Sequence, residues 1–153
     1  MTVLHSTFTL ERTYPATPER VFAAWADPAT KARWFTGGKG EHRFDFRVGG
    51  RETVVAEGGD GRPALRFESV YHDIVEGERI VYTSVLYADD RPATVSLTTV
   101  QFSREGDTTR LILTEQGTFL DGEEPPNWRE QGTRDQLDAL AAALEPSTTD
   151  DRH

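Results

Sequence analysis

Pro126-Asn127-Trp128-Arg129-Glu130-Gln131-Gly132-Thr133-Arg134-Asp135-Gln136-Leu137-Asp138-Ala139-Leu140-Ala141-Ala142-Ala143-Leu144 is the stretch that decides the fold. Trp128, Gly132, Leu137, Leu140, Ala141 and Leu144 recur mostly at spacings of three and four, which is one face of an α-helix. Asn127 reads as the N-cap, with Glu130 three residues on to close a capping box. Pro146 stops the helix just beyond Leu144. Nearly everything between Glu41 and Leu120 reads instead as strand. One long amphipathic helix after so much strand has an economical use: it lies across the concave face of a curved sheet and closes a pocket. Leu137 to Leu144 is ordinary core packing. Trp128, Gln131, Gly132 and Asp135 interrupt the aliphatic pattern, so a cavity is expected under the first half of the helix.

Upstream, Ser6 to Tyr14 alternates as a first strand, with Phe8, Leu10 and Arg12 on one side. Pro15 ends it. Thr17 then caps a helix with Pro18 at its first position, and Val21, Phe22 and Trp25 give that helix an apolar face. Asp27-Pro28 breaks it, because the residue before proline is pushed out of the α region. Asp27 caps a second short helix, Ala29 to Phe35. From Glu41 the period is two: His42, Phe44, Phe46 and Val48 face one way, Arg43, Asp45 and Arg47 the other. Further strands are expected over Arg51–Glu57, Ala64–Ile74, Arg79–Tyr87, Ala93–Arg104 and Thr108–Phe119, each ended by a turn rich in Gly, Asp or Glu. Hairpins without crossover helices are antiparallel, and strands of about 9–12 residues exceed the usual mode of about five or six, so the sheet curls. The expectation is an α+β fold: a curved antiparallel sheet of about seven strands on a long C-terminal helix. Residues 1–146 form one domain, and 147–153 a polar tail.

The 153 residues are enough to bury a real core. Lys and Arg total 17 against 26 Asp and Glu, a net charge of −9. That argues against a nucleic-acid surface and against an anionic membrane. With no cysteine there is no disulfide, thiolate nucleophile or Cys-ligated metal. The N-terminus lacks the charged and apolar regions of a signal peptide, and no apolar run approaches the ~20 residues of a membrane span. A cytoplasmic protein is expected. No phosphate-loop pattern, Ser-His-Asp set or zinc-binding histidine spacing is legible, so neither a cofactor nor a metal is expected.

Several pieces match a known family in order along nearly the whole chain. They are Ala16-Thr17-Pro18-Glu19-Arg20-Val21-Phe22, Ala24-Trp25-Ala26-Asp27-Pro28, Arg33-Trp34-Phe35, Asp45-Phe46-Arg47-Val48-Gly49-Gly50, Glu78-Arg79-Ile80-Val81-Tyr82-Thr83 and the helix from Trp128. Together they resemble the START/birch-pollen-allergen-like (SRPBCC) superfamily and, within it, the branch of homologues of the activator of the heat-shock-protein ATPase. The resemblance implies a helix-grip fold. It also implies binding of apolar small molecules; some relatives cyclise polyketides or sequester toxic metabolites, and the co-chaperones that give the branch its name stimulate a chaperone ATPase. One departure stands out: the glycine-tryptophan pair of the last helix is here Gly132-Thr133, with the indole displaced to Trp128.

The candidate ligand-binding residues are Trp34, Phe35, His42, Phe44, Phe46, Phe67, Tyr82, Trp128 and Gln131. Burying any one aromatic stabilises the fold by roughly 1.5–3 kcal/mol with or without a ligand, so each alone is explained by core filling. The cluster under a helix argues for a cavity, apolar with a few orienting polar groups. Trp34 and Phe35 read equally as a gate at its mouth or as a plug under a loop. Periodicity leaves open which face of the strands at Ala64–Ile74 and Arg79–Tyr87 lines it. Enzyme status also stays open: His42, His72 or Glu68 would be the acid/base of a cyclase, aromatase or hydrolase in the same cavity. Glu68 reads as outward and Glu115 either way. Asp45 and Arg47 read as a polar pair fixing the turn at Gly49-Gly50. The partner expected is therefore a hydrophobic small molecule, with a chaperone as the alternative. The chain is a monomer, or a homodimer paired through an exposed edge strand such as Ser6–Tyr14.

Overall fold

The computed structural model describes residues 2–145; the helix stop expected at Pro146 and the tail at 147–153 lie outside the described residues. The elements are β1 (Val3–Tyr14), α1 (Pro18–Ala26), α2 (Pro28–Phe35), β2 (Glu41–Phe44), β3 (Arg51–Ala56), β4 (Leu65–Val75), β5 (Arg79–Ala88), β6 (Arg91–Glu105), β7 (Thr108–Leu120) and α3 (Pro126–Leu144). The strands form one antiparallel sheet in the order β1-β7-β6-β5-β4-β3-β2. This is the expected α+β helix-grip architecture, with two short helices after the first strand.

Turn chemistry sets the meander. Between β5 and β6, Asp89 and Asp90 both take positive φ, 49° and 65°, the backbone of a type I′ hairpin turn that twists with its strands. Curvature comes from two irregularities. Tyr71 faces Tyr82 but Asp73 faces Val81, so His72 is an extra residue in β4; a second shift follows Leu86 along β5 and β6. Such bulges bend a strand and increase its twist. They also settle the open faces: Ser69, Tyr71, Ile80, Tyr82 and Ser84 are buried on the concave side, where the Ser69 and Ser84 hydroxyls pair at 2.8 Å.

Both short helices begin as the sequence predicts. The Arg20 amide donates to Thr17 Oγ1, and the Thr30 amide and hydroxyl donate to Asp27 Oδ2 at 2.9 and 2.7 Å. Those bonds hold the Asp27 carboxyl below its ordinary pKa.

α3 departs from expectation at its start. Its N-cap is Pro125, without a side-chain cap bond, and Pro126 opens the first turn. The prolines fix φ near the helical value, which leaves Asn127 inside the helix, while Glu130 pairs with Arg134 instead of closing a capping box. In the first half the buried stripe is shifted by one residue, from Trp128 and Gly132 to Arg129 and Thr133, whereas Leu137, Leu140 and Leu144 are buried as expected. Trp128 is 66% exposed. Periodicity weighted by hydrophobicity chose the indole over the neighbouring arginine; the structure buries the arginine because carboxylates await it.

The second half of α3 closes the core against Val21, Trp25, Ile80, Val100 and Leu111. Tyr14 on β1 donates its hydroxyl to the Leu137 carbonyl at 2.9 Å. β2 is shorter than expected, ending at Phe44. Residues 45–50 then form a compact turn bonded to β4 through Gly49 N–H to Tyr71 O (2.8 Å) and Tyr71 N–H to Gly50 O (3.1 Å). Val48, expected to face inward, is exposed on that turn.

Candidate functional site

A pocket of about 280 Å³ lies under the first half of α3. Its walls come from α1, α2, α3, β3, β4, β5 and β7, with Glu124 from the loop before α3. Six aromatic residues line it: Trp25, Trp34, Phe35, Phe67, Tyr82 and Trp128. Local packing fixes most of them. Trp34 donates its indole N–H to the Ala24 carbonyl at 2.8 Å and meets Trp25 edge-on at 4.7 Å between centroids. Phe35 packs on Phe67 at 6.0 Å, and Gln136 of α3 donates to the Phe35 carbonyl at 3.0 Å. Trp128, by contrast, stands exposed at the rim. Val54, Leu65, Leu86, Leu113 and Leu137 complete the apolar surface. Trp25 Nε1 is the one buried side-chain nitrogen or oxygen, among the described residues, without a hydrogen-bond partner.

One end of the pocket is charged. Arg129 Nη1 donates to Glu115 Oε2 at 3.1 Å, and Nη2 to Glu124 Oε1 at 3.0 Å. Thr98 donates to Glu115 Oε1 (2.9 Å) and Thr94 to Glu124 Oε1 (2.6 Å). The guanidinium also lies 5.6 Å from the Phe67 ring centroid, within cation–π range. Burial pushes the Glu115 carboxyl above its ordinary pKa despite Arg129 and the Thr98 bond. Burial opposes the Arg129 charge, but Glu115 and Glu124 outweigh it and hold its pKa above the ordinary value. Burial, reinforced by the Glu115 and Glu52 charges, likewise keeps the Tyr82 phenol protonated.

Five of the nine candidate residues are thus brought together around the pocket: Trp34, Phe35, Phe67, Tyr82 and Trp128. The other four lie elsewhere. His42, Phe44 and Phe46 share the concave side but pack around a second buried cluster. There Glu52 accepts from Lys31 Nζ (3.1 Å) and the Tyr71 hydroxyl (2.7 Å) on Oε1, and His42 Nε2 meets Oε2 at 2.8 Å. Phe44, at the end of β2, and Phe46, on the turn that follows, pack on Tyr71, so protein rather than open space faces them. Gln131 bonds Asp135 on the solvent side of α3, because the rotation that buries Arg129 turns it outward. Among the acid/base candidates, His72 is exposed and bonded to Thr83, and Glu68 pairs with Arg66 outside. Asp45 and Arg47 form an exposed pair at 2.8 Å; such pairs contribute about 0–1 kcal/mol.

Lys31, Glu52, Glu124 and Arg129 were not legible as site residues. Arg129 follows Trp128 directly, and its burial depends on Glu124 in the loop before the helix and on Glu115, 14 residues away on β7. Lys31 sits in Thr30-Lys31-Ala32-Arg33, which reads as a solvated turn of helix; only the fold brings Glu52 to it.

The family model described as "Activator of Hsp90 ATPase homolog 1-like protein" matches residues 15–145. The chain belongs to this family. Among solved structures, the Mll3558 protein of Rhizobium loti is 49% identical with a TM-score of 0.87, covering 94% of this chain and 99% of that one. A protein of Rhizobium leguminosarum is 36% identical, also at a TM-score of 0.87, covering 94% and 96%. DynU16, a protein of the dynemicin biosynthetic locus, is 17% identical with a TM-score of 0.66, covering 90% of this chain and 46% of that one, and shares the fold. No curated protein matches the chain. In this member of the Activator of Hsp90 ATPase homolog 1-like family, the residue after Gly132 is Thr133. It is buried, donates to the Arg129 carbonyl at 3.0 Å, and lines the pocket where the family resemblance implies an indole. Among the described residues, no helix is long and apolar enough to cross a membrane.

Proposed function

We propose that this protein binds a small hydrophobic or aromatic molecule non-covalently in the pocket under the first half of α3. The observation that carries this reading is one concave site that combines six aromatic residues with a single hydrogen-bonded polar end. Ligand sites are mostly apolar with few, convergent polar groups. The volume of about 280 Å³ is at the lower edge of the roughly 300–1,000 Å³ usual for such sites, so the ligand is small. His42, His72 and Glu68 lie outside the pocket lining, so a cyclase or hydrolase reading gains no support from them.

Titration with the neutral probe N-phenyl-1-naphthylamine tests the proposal. Saturable, one-to-one fluorescence enhancement is expected. It should be lost in Thr133→Trp, whose indole enters the pocket from α3, while the circular dichroism spectrum is kept. Absence of saturable binding, or binding unchanged by that substitution, would refute it.

A further inference from the structure

The charged end of the pocket is unbalanced. Among the described residues, Glu115, Glu124 and Arg129 are the only charged ones lining it, so two carboxylates meet one guanidinium. The hydrogen-bond inventory is unbalanced in the same direction. Arg129 directs Nε and Nη2 to Glu124, and Nη1 to Glu115 and, at 3.5 Å, to Ser96. Little of its donor capacity is left for a guest. A carboxylate offers about four lone-pair sites, whereas among the described residues Glu115 accepts only from Thr98 and Arg129, and Glu124 only from Thr94 and Arg129. The surplus is in acceptors and in negative charge.

The remaining walls favour the same sign. Aromatic faces attract cations through the ring quadrupole, and Arg129 already lies over Phe67, which leaves the other aromatic residues of the lining, Tyr82 among them, for a guest. A net charge of −9 over the chain adds a long-range field that draws cations and repels anions. An anionic ligand would find its natural partner, Arg129, already occupied, and would be desolvated unpaired against two carboxylates.

We infer that the pocket selects a cation: a small apolar or aromatic amine whose protonated nitrogen docks on Glu115 and Glu124 while its body lies among the aromatic walls. This rests on the small-molecule reading above. The ammonium donates to the free carboxylate lone pairs and leaves the Arg129 bridge in place.

Three probes with one aromatic body separate the possibilities: 1-naphthylmethylamine, 1-naphthalenemethanol and 1-naphthoate, each titrated calorimetrically into the full chain at pH 7 and low salt. The expected order is amine, then alcohol, then acid, with the amine at least tenfold tighter than the acid and the gap narrowing in 0.5 M salt. Glu124→Gln, checked for an intact thermal transition, should shrink the gap between amine and alcohol. The amine alone is a second readout should that variant fail to fold, because its affinity should fall with added salt while that of the alcohol stays level. Equal binding of all three, or tighter binding of naphthoate, overturns the inference and leaves the small-molecule reading standing. Binding of none overturns both.

Discussion

Lys31 and Glu52 form an ion pair of 3.1 Å in which each side chain is only 1% exposed. The pair joins α2 to β3 beneath four aromatic rings: Lys31 Nζ lies 4.3 Å from the Phe35 centroid, 5.0 Å from Phe44, 5.3 Å from Trp25 and 5.6 Å from Trp34. Burial pushes the Lys31 pKa below its ordinary value despite Glu52. Burial pushes the Glu52 carboxyl upward, but the Lys31 charge and the bonds from His42, Tyr71 and Lys31 outweigh it and hold the pKa down.

Removing one partner leaves an uncompensated buried charge, which costs about 3–5 kcal/mol, whereas replacing both by apolar residues is close to neutral. Lys31→Met and Glu52→Leu are each expected to lower unfolding stability by that amount, and the double variant to recover only part of it, because the Tyr71 hydroxyl and His42 also lose Glu52 as partner. Urea unfolding of the four proteins in the cycle checks this. Additive losses in the double variant would show that the pair is not coupled.

The same pair shows where the sequence is legible and where it is not. The sheet is written in local signals: period-two runs, turn residues and the caps Thr17 and Asp27. Trp34, Phe35, Phe67, Tyr82 and Trp128 are visible because large aromatics near a predicted helix-sheet interface are few. Phe44 and Phe46 share that composition and period but pack on Tyr71 instead, a difference set by where β2 ends. Arg129 and Lys31 look like surface residues in any local window. What buries them is a carboxylate 14 or 21 positions away, and no periodicity encodes that distance.

Gly50 marks a close backbone approach. A Cβ there would lie 2.1 Å from the Asp45 carbonyl oxygen and 2.9 Å from that of Arg47. Neither backbone atom can swing away without breaking the turn that bonds β4 at Tyr71. Gly50→Ala is expected to lower stability by about 1–3 kcal/mol, in the range of overpacking. Gly49 has open space but a φ of 82°, so Gly49→Ala should cost about 1–2 kcal/mol from backbone strain alone. Thermal unfolding of the two variants compares them; a Gly50→Ala protein as stable as the wild type would remove the steric account.

Tyr14 ties β1 to the middle of α3 by donating to the Leu137 carbonyl, and burial keeps the phenol protonated. Tyr14→Phe keeps the ring and deletes the donor. A net loss of about 0.5–1.5 kcal/mol is expected, read by chemical denaturation. A larger loss would mean that the hydroxyl also orders neighbouring packing.

Glu115 gives the pocket an acid-range signature with a defined sign. Its folded pKa lies above the ordinary value of 4.5, so from about pH 4.5 upward the folded state holds a proton that the unfolded state has released. Stability from this group is present below 4.5 and is lost as pH rises through the folded pKa. Glu52 acts in the opposite sense: its folded pKa lies below 4.5, so its contribution is present above 4.5 and disappears as pH falls through the folded value. Glu115→Gln resembles the protonated acid and cannot titrate. The stability of Glu115→Gln relative to wild type should therefore increase between pH 4 and pH 7, by about 1.4 kcal/mol for each unit by which the Glu115 pKa is raised. Denaturant midpoints at half-unit intervals measure it. A difference that stays flat or falls with pH would mean that the Arg129 bridge, rather than burial, governs Glu115.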